Sequence, residues 1–221
     1  MFFVSIIFAG VEFIVVLRLK LVLMLIPFLL ISDQLWAKEV KLMILGDSLS
    51  AAYGLKQEQG WVSLLQNAWD GENITIINAA VSGETTDGGL ARLPRLLKQH
   101  QPTHMLIELG GNDGLRGYPI NKMKANLKQM VEAAQSENVD VIIQQMQIPT
   151  NFGRRYTELF TNTFTDIAEE YQIPVIPFLL EEIALNDDLM QQDQIHPNAK
   201  AQPMITAFMD KQLRPLLNIN E

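Results

Sequence analysis

The chain has 221 residues, of which 48 % are hydrophobic and 19 % are charged, so the composition excludes a disordered chain and indicates a globular protein. The formal net charge of −8 argues against a nucleic-acid partner and against binding to anionic lipid. Cysteine is absent, which excludes disulfides, thiolate metal sites and a cysteine nucleophile.

The start of the chain differs from the rest in composition. An apolar block precedes Arg18 and Lys20, a second apolar run follows them, and the small residue Ala37 comes next. A basic segment, an apolar run of about a dozen residues and a small residue are the layout of a secretory signal peptide. A membrane anchor is the alternative, but the second run is short and contains a proline, which favours cleavage. We therefore predict a signal peptide over residues 1–37 and one domain over residues 38–221, located in the periplasm or secreted.

Hydrophobic periodicity along the remaining chain predicts strands that alternate with helices. Short aliphatic and β-branched runs indicate buried strands, and longer stretches with apolar residues three and four apart indicate helices. In chain order we predict a strand over 40–45, a helix over 60–69, a strand over 74–78, a helix over 85–99, a strand over 105–109, a helix over 122–136, a strand over 139–145, a helix over 156–170, a strand over 174–177 and a helix over 199–217. This alternation predicts an α/β fold, a three-layer α/β/α sandwich with a central parallel five-stranded sheet.

Ligand sites in such sheets lie beyond the carboxyl ends of the strands, so the residues that follow each strand are examined for chemistry. Small polar residues, glycines, an amide and an Asp–His pair gather at these places. They occupy positions 46–48, 78–83, 110–113, 147–151 and 193–196. Their placement predicts a single site at one edge of the sheet.

Histidine is the scarcest of these residue types, with three in the chain. His100 directly follows the predicted helix over 85–99 and His104 directly precedes the predicted strand over 105–109, which places both at the opposite edge of the sheet. Asp193 precedes His196 by three residues, a spacing that puts both side chains on one side of a helical turn. There the carboxylate can accept from one ring nitrogen and stabilise the imidazolium. Taken alone, Asp193 can equally cap a turn ahead of Pro197.

Ser48 is likewise open to two interpretations when it is considered alone. Asp47 and Ser48 are residue types that cap helix N-termini, and Asn112 beside two glycines is typical of a turn. A hydroxyl, an Asp–His pair and amide donors at the same end of one sheet together favour nucleophilic chemistry. Asp47 is then expected to hold the loop by accepting backbone N–H groups.

Four short blocks occur in one order along the chain: GDSLS at 46–50, SGETT at 82–86, GGND at 110–113 and DQIHPN at 193–198. In these blocks, and over essentially all of the predicted domain, the chain resembles the SGNH, or GDSL, hydrolases. The resemblance implies a flavodoxin-like sheet and no cofactor. Beyond the Asp–His pair no group of residues has the spacing of metal ligands, so no metal is expected.

The resemblance also implies a role for each residue of these blocks. Ser48 would be the nucleophile, His196 the general base and then acid, and Asp193 the carboxylate that orients the histidine. The backbone N–H groups of Ser48 and Gly83 and the side-chain amide of Asn112 would form the oxyanion hole. A side chain at Gly83 would obstruct the approach of the substrate carbonyl, and an asparagine amide donates without carrying charge.

On the substrate side, the segment 114–119 contains two glycines, which is typical of a loop that can move. The resemblance implies that this segment shifts over bound acyl chains. Leu115, Ile148, Pro149 and Phe152 would supply an apolar wall for the chain. Ordinary loop packing accounts for these four residues equally well.

The implied function is a serine hydrolase that cleaves esters and thioesters of medium to long acyl chains, with arylesterase, acyl-CoA thioesterase and lysophospholipase activities. Its expected partners are small-molecule acyl esters, thioesters or lysophospholipids, without nucleic acid, and the mature protein is expected to be a monomer without a stable membrane anchor. A carbohydrate O-deacetylase of the same fold and a non-catalytic envelope binding protein are the alternatives. Activity beyond acetyl esters would distinguish the first alternative, and loss of Ser48, Asn112 or His196 would be expected in the second.

Overall fold

The computed structural model describes residues 39–217 of the chain. The predicted signal peptide over residues 1–37 lies outside the described residues, as do the first residue and the last four residues of the predicted domain. In the described part of the chain, no helix combines the length and the apolar content that crossing a membrane requires.

A five-stranded sheet forms the centre of the fold. Its strands are β1 (Val40–Gly46), β2 (Ile74–Asn78), β3 (His104–Glu108), β4 (Asp140–Gln144) and β5 (Val175–Ile176). Their order is β2-β1-β3-β4-β5, and all neighbouring strands run parallel. The prediction of a central parallel five-stranded sheet is therefore confirmed.

Helices cover both faces of this sheet. They are α1 (Trp61–Ala68), α2 (Thr86–His100), α3 (Gly111–Leu115), α4 (Ile120–Ser136), α5 (Arg154–Tyr171) and α6 (Gln202–Leu216). Helix α1 packs against α6, and α4 packs against both α2 and α5. Right-handed crossovers that leave β1 in opposite directions place their helices on opposite faces of the sheet. Helices α1 and α6 therefore form one outer layer of the predicted sandwich, and α2, α4 and α5 form the other.

The sequence of β1 explains its central position. Four consecutive residues, Leu42 to Leu45, have no exposed surface. A parallel strand covered by helices on both faces can be apolar at every position, whereas β2 at the sheet edge is half-buried. The apolar run therefore places β1 in the interior, and the residues that follow it emerge at the end of the sheet.

Two predictions about helices need correction. The last helix begins at Gln202 rather than at residue 199, because Pro203 favours the first helical turn, where its missing N–H has no helical partner. Helix α3 was not predicted, since its five residues include two glycines, which disfavour helix. A Cβ on Gly114 would lie 2.6 Å from the Phe160 ring and 2.7 Å from Ile148, so tertiary packing requires this glycine.

Candidate active site

The site lies at the carboxyl ends of β1 and β3, where the strand order reverses. The chain passes from β1 to β2 on one side and from β3 to β4 on the other, which opens a crevice at this point. Ser48 follows β1 by two residues, and Asn112 lies in α3, four residues after β3. His196 reaches the same crevice from the connection between β5 and α6.

A continuous chain of hydrogen bonds joins Ser48, His196 and Asp193. His196 Nε2 lies 2.9 Å from Ser48 Oγ, and His196 Nδ1 lies 2.7 Å from Asp193 Oδ2. An imidazole held in this way can accept the hydroxyl proton at Nε2 while its Nδ1–H donates to the carboxylate. His104, in contrast, begins β3 at the opposite end of the sheet, and His100 ends α2.

The prediction that Asp193 and His196 share one side of a helical turn is wrong. Residues 192–196 form turns and bends, with Gln194 at a φ of 56°. Asp193 Oδ1 accepts the backbone N–H groups of Ile195 and His196, each at 3.0 Å, while Oδ2 contacts the imidazole. The Asp193 carboxylate therefore caps the turn and also orients the His196 ring, which are the two roles that the sequence left open for it.

The charge of Asp193 is stabilised by these donors. Partial burial opposes its ionisation, but the hydrogen bonds from the His196 backbone, the His196 ring and Ile195 outweigh burial and hold the pKa of Asp193 below its ordinary value. An anionic Asp193 keeps the Nδ1–H tautomer of the imidazole, which leaves Nε2 free to accept the proton of Ser48.

Tyr53 is part of this site, although the sequence offered no signal for it. Its ring packs on His196 with a centroid separation of 4.3 Å and an interplanar angle of 36°. The backbone carbonyl of Tyr53 accepts a hydrogen bond from Gln191 Nε2 at 2.8 Å, which joins the loop after β1 to the loop that carries His196. Tyr53 thus covers one face of the imidazole.

The three residues predicted to form the oxyanion hole line one cavity. Among the hydrogen bonds of residues 39–217, none uses the backbone N–H of Ser48 or of Gly83, and both residues line the same cavity as Asn112. Asn112 donates one amide hydrogen to Asp47 Oδ2 at 3.1 Å, which leaves its second hydrogen available. Two backbone donors and one amide hydrogen can therefore stabilise a developing oxyanion.

The backbone conformation at position 83 requires a glycine, while its predicted role in leaving room for the substrate carbonyl stays a prediction. A Cβ there would meet only Arg116 Nη2, at 3.7 Å, so the folded protein leaves space for a side chain. Gly83 instead has a φ of 76°, in the left-handed region that side chains rarely adopt. Arg116 Nη2 also donates to the Gly83 carbonyl at 3.1 Å and so supports this loop.

Asp47 holds the nucleophile loop, as predicted from its position. Its Oδ1 atom accepts the Leu49 N–H at 3.0 Å, and its carboxyl group is almost fully buried. Burial raises the pKa of Asp47 to about 6, although the hydrogen bond from Leu49 opposes this shift. Its backbone N–H donates to the buried side chain of Glu108, a residue that the sequence analysis missed. A charged residue at the end of the apolar strand MLIEL was the available signal.

A cavity of about 640 Å³ opens beside Ser48. Leu115, Ile148 and Pro149 line it, as expected from the sequence. Phe152 is not among the lining residues. Its ring stacks on Tyr156 at a centroid distance of 6.1 Å, because the short helical turn Thr150–Phe152 directs it toward α5. Phe152 therefore lies outside the lining of this cavity, and its assignment to the acyl wall stays a prediction.

A second apolar wall, which the sequence analysis missed, comes from the connection between β5 and α6. Its residues line the same cavity as Leu115 and Ile148, and Leu185 is 96 % exposed. The apolar residues of this wall are Phe178, Leu180, Ala184, Leu185, Met190 and Ile195. The apolar character of the segment FLLEEIAL after the last strand was a signal for it.

The segment 114–119 is only partly a loop. Gly114 and Leu115 belong to α3, and Tyr156 Oη donates to the Tyr118 carbonyl at 2.9 Å. Gly117 has a φ of 66° with open space around it, so the turn itself depends on glycine.

Within the described residues, no three His, Asp or Glu side chains form a group that could hold a metal ion.

Comparison with known proteins gives consistent similarities. The sequence profile described as the GDSL-like Lipase/Acylhydrolase family matches residues 44–202. The chain is 46 % identical over 177 residues to "Thioesterase 1/protease 1/lysophospholipase L1" of Escherichia coli strain K12, covering 80 % of this chain and 85 % of that protein. It is 42 % identical over 193 residues to the arylesterase of Vibrio mimicus, covering 86 % and 96 %. The crystal structure of the psychrotrophic esterase EstA from Pseudoalteromonas sp., inhibited by monoethylphosphonate, matches with a TM-score of 0.79 and 49 % identity, covering 80 % of this chain and 98 % of that one.

Proposed function

Because the chain belongs to the GDSL-like lipase/acylhydrolase family and is an ester hydrolase, we propose that it cleaves carboxylic esters and thioesters of medium to long acyl chains through an acyl-enzyme on Ser48. One observation carries the proposal. The Ser48 hydroxyl, linked through His196 to Asp193, lines an apolar cavity of about 640 Å³. A hydroxyl activated in this way can take up an acyl group, and the cavity offers apolar surface for its chain.

The first half of the reaction forms the acyl-enzyme. His196 Nε2 takes the proton of Ser48 as Oγ attacks the carbonyl carbon, and Asp193 stabilises the imidazolium that results. The carbonyl oxygen becomes negative and accepts hydrogen bonds from Ser48, Gly83 and Asn112. When the tetrahedral intermediate collapses, the bond to the alcohol or thiol breaks, and His196 returns the proton to that leaving group.

The second half regenerates the enzyme. Water enters where the leaving group was, gives one proton to His196 Nε2 and attacks the acyl carbon through its oxygen. The same donors stabilise the second oxyanion. Collapse of this intermediate breaks the bond to Ser48 Oγ, His196 returns the proton to Oγ, and the free fatty acid leaves.

Substrate selection in this proposal comes from the acyl side. The reacting groups contact only the ester or thioester carbonyl, so an aryl alcohol, coenzyme A or a lysophospholipid headgroup can each depart. Each buried CH₂ group contributes about 0.8 kcal/mol, and the two apolar walls of the cavity can bury several. The names of the relatives, which include a thioesterase, a lysophospholipase and an arylesterase, support this breadth of leaving group.

The deciding experiment is a substrate panel with the purified domain. We would measure kcat/KM for p-nitrophenyl esters from acetyl to palmitoyl, for palmitoyl-CoA and for a lysophospholipid, and label the enzyme with an alkylphosphonate probe. Rates that rise with chain length and a label on the Ser48 peptide support the proposal. Activity restricted to acetyl esters would favour the O-deacetylase instead, and a label on another residue would remove Ser48 as the nucleophile.

We expect Leu115→Ala to reduce kcat/KM for a C12 ester by about three- to tenfold and for a C2 ester by less than twofold. Leu115 lines the cavity, and losing its contact with about two CH₂ groups of the acyl chain costs about 1 kcal/mol of binding free energy. A C2 ester has no such CH₂ groups, so its rate should hardly change. The matched control is Leu159→Ala on the exposed face of α5, which should change neither rate. Equal losses on both esters would mean that Leu115 does not contact the acyl chain.

We also propose that residues 1–37 are a signal peptide and that residues 38–221 act as a monomeric hydrolase domain in the periplasm or outside the cell. The support is the basic, apolar and small-residue layout of the N-terminal sequence. After expression of the full chain, activity should appear in the periplasmic or extracellular fraction, and the N-terminus should follow Ala37. Size-exclusion chromatography would report the oligomeric state. Activity that remains with the membrane on an uncleaved chain would contradict the proposal and favour an anchor.

A further inference from the structure

Two buried carboxyl groups lie beside the Ser48 loop, and no step of the proposed reaction uses them. Glu108, the last residue of β3, has no exposed surface, and Asp47 is 3 % exposed. The Asp47 backbone N–H donates to Glu108 Oε2 at 3.2 Å, and each carboxyl group affects the pKa of the other. In the described part of the chain, no salt bridge with a basic side chain neutralises either group.

The fold makes room for Glu108. Gly46 of β1 lies opposite it in the strand register, and a Cβ on Gly46 would come within 2.6 Å of Glu108 Oε2. Ser50 Oγ donates to that same oxygen at 2.7 Å. The glycine that ends β1 therefore leaves space for a carboxyl group, and Ser50 anchors it there.

The arrangement requires a proton on the pair. Two adjacent buried carboxylates without a cation repel each other strongly, so one of them stays neutral. Glu108 Oε1 is buried and has no hydrogen-bond partner, whereas Oε2 already accepts two hydrogen bonds. A proton on Oε1 leaves both of those bonds intact and turns Glu108 into a hydrogen-bond donor.

The pKa values favour Glu108 as the protonated member. Burial, and then the neighbouring Asp47, raise the pKa of Glu108 well above its ordinary value, whereas burial raises the pKa of Asp47 only to about 6. Among the described residues, His196 also acts on the pair, since its positive form lowers the pKa of Asp47. Both shifts favour a proton on Glu108 over one on Asp47.

Asp47 connects this pair to the reacting groups. Its two oxygens accept the Leu49 N–H at 3.0 Å and one amide hydrogen of Asn112 at 3.1 Å. Building on the proposed function, we propose that Glu108 is a positioning residue, a neutral carboxylic acid that donates a hydrogen bond to the Asp47 carboxylate and so holds the Asn112 amide and the Ser48 loop in place for the oxyanion. Glu108 does not contact the substrate in this proposal and affects the reaction only through Asp47 and Asn112.

A pH dependence follows from this role. When Glu108 loses its proton at alkaline pH, its negative charge repels the Asp47 carboxylate. Asp47 then shifts away from the Asn112 amide, and kcat falls. Both pKa values are raised in the folded protein, so the folded state binds more protons than the unfolded chain. The contribution of the pair to the free energy of unfolding therefore decreases as the pH rises from about 4, where free carboxyl groups titrate.

The test compares Glu108→Gln with Glu108→Leu, because glutamine keeps a neutral donor and an acceptor while leucine keeps neither. At neutral pH, E108Q should retain kcat within about threefold, and E108L should lose about tenfold or more in kcat with little change in KM, which is about 1.4 kcal/mol of transition-state stabilisation. The alkaline decrease in kcat should be present in the wild type and absent from E108Q. Equal losses of kcat in both variants would overturn the proposal, as would an alkaline decrease in kcat that is the same in E108Q as in the wild type.

A second measurement needs no turnover, so its failure is distinct from a failure of the proposed function. Infrared spectra of the Ser48→Ala protein at neutral pH should contain the C=O stretching band of a protonated carboxylic acid. That band should disappear when Glu108→Gln is added to Ser48→Ala. The absence of any such band in the Ser48→Ala protein would show that Glu108 is ionised and would refute the proposal, whether or not E108Q folds.

Discussion

Replacing Ser48 with alanine should lower kcat for ester hydrolysis by about 10⁴- to 10⁶-fold and leave the fold intact. The variant removes the oxygen that would carry the acyl group, while the oxyanion donors and the cavity remain. Ser48 is half-buried at a strand end, and the loss of one small hydroxyl there leaves no large cavity. Steady-state assays with a C12 p-nitrophenyl ester measure kcat, and thermal unfolding measures the stability of the variant.

The matched control is Ser136→Ala, at the exposed end of α4, which should leave both kcat and the unfolding temperature unchanged. Labelling with an alkylphosphonate gives an independent readout, since Ser48→Ala should not be labelled. If the Ser48→Ala protein keeps more than a few per cent of wild-type activity, the nucleophile is another group or a water molecule.

Asn112→Ala should lower kcat by about 10²- to 10³-fold and change KM much less. The free amide hydrogen contacts a full negative charge in the transition state but only a neutral carbonyl in the ground state, so its loss removes transition-state stabilisation. The variant also removes the hydrogen bond from Asn112 to Asp47, which adds to the loss in kcat. Steady-state kinetics on a C12 ester separate the two parameters.

Asn121→Ala is the matched control, because Asn121 is exposed in the first turn of α4, outside the cavity lining. Its kcat should stay within about twofold of the wild type. A change in Asn112→Ala that is confined to KM would place Asn112 in substrate binding. A large loss of thermal stability would instead assign its main effect to the hydrogen bond with Asp47.

The positions of Ser48, Asn112 and His196 were predictable because each follows from a local rule. An apolar run such as Leu42 to Leu45 indicates a buried parallel strand, and residues after such strands meet at one edge of the sheet. The resemblance added the role of each residue, since composition and spacing alone left Ser48 open to a capping role. Even here local spacing misled: Asp193 reaches His196 across a non-helical turn.

Contacts between distant segments were not predictable from any local rule. Phe152 was assigned to the acyl wall, but its ring stacks on Tyr156 and lies outside the cavity lining. Tyr53 packs on His196 across 143 positions of sequence, and no pattern along the chain encodes that pairing. Helix α3 forms despite two glycines because its close contact with Phe160 and Ile148 outweighs their low helix propensity.

The sequence by itself determined the fold class, the edge of the sheet that carries the site and the residue types that meet there. These depend on hydrophobic periodicity and on strand ends, which are properties of neighbouring residues. Only the tertiary structure decided that the connection after β5 supplies a second cavity wall, and that Gly46 is a glycine because Glu108 needs its space. Glu108 becomes buried only when β1 and β3 pair side by side, and this burial raises its pKa. In our proposal Asp47 is then the anion that accepts the hydrogen bond from Asn112.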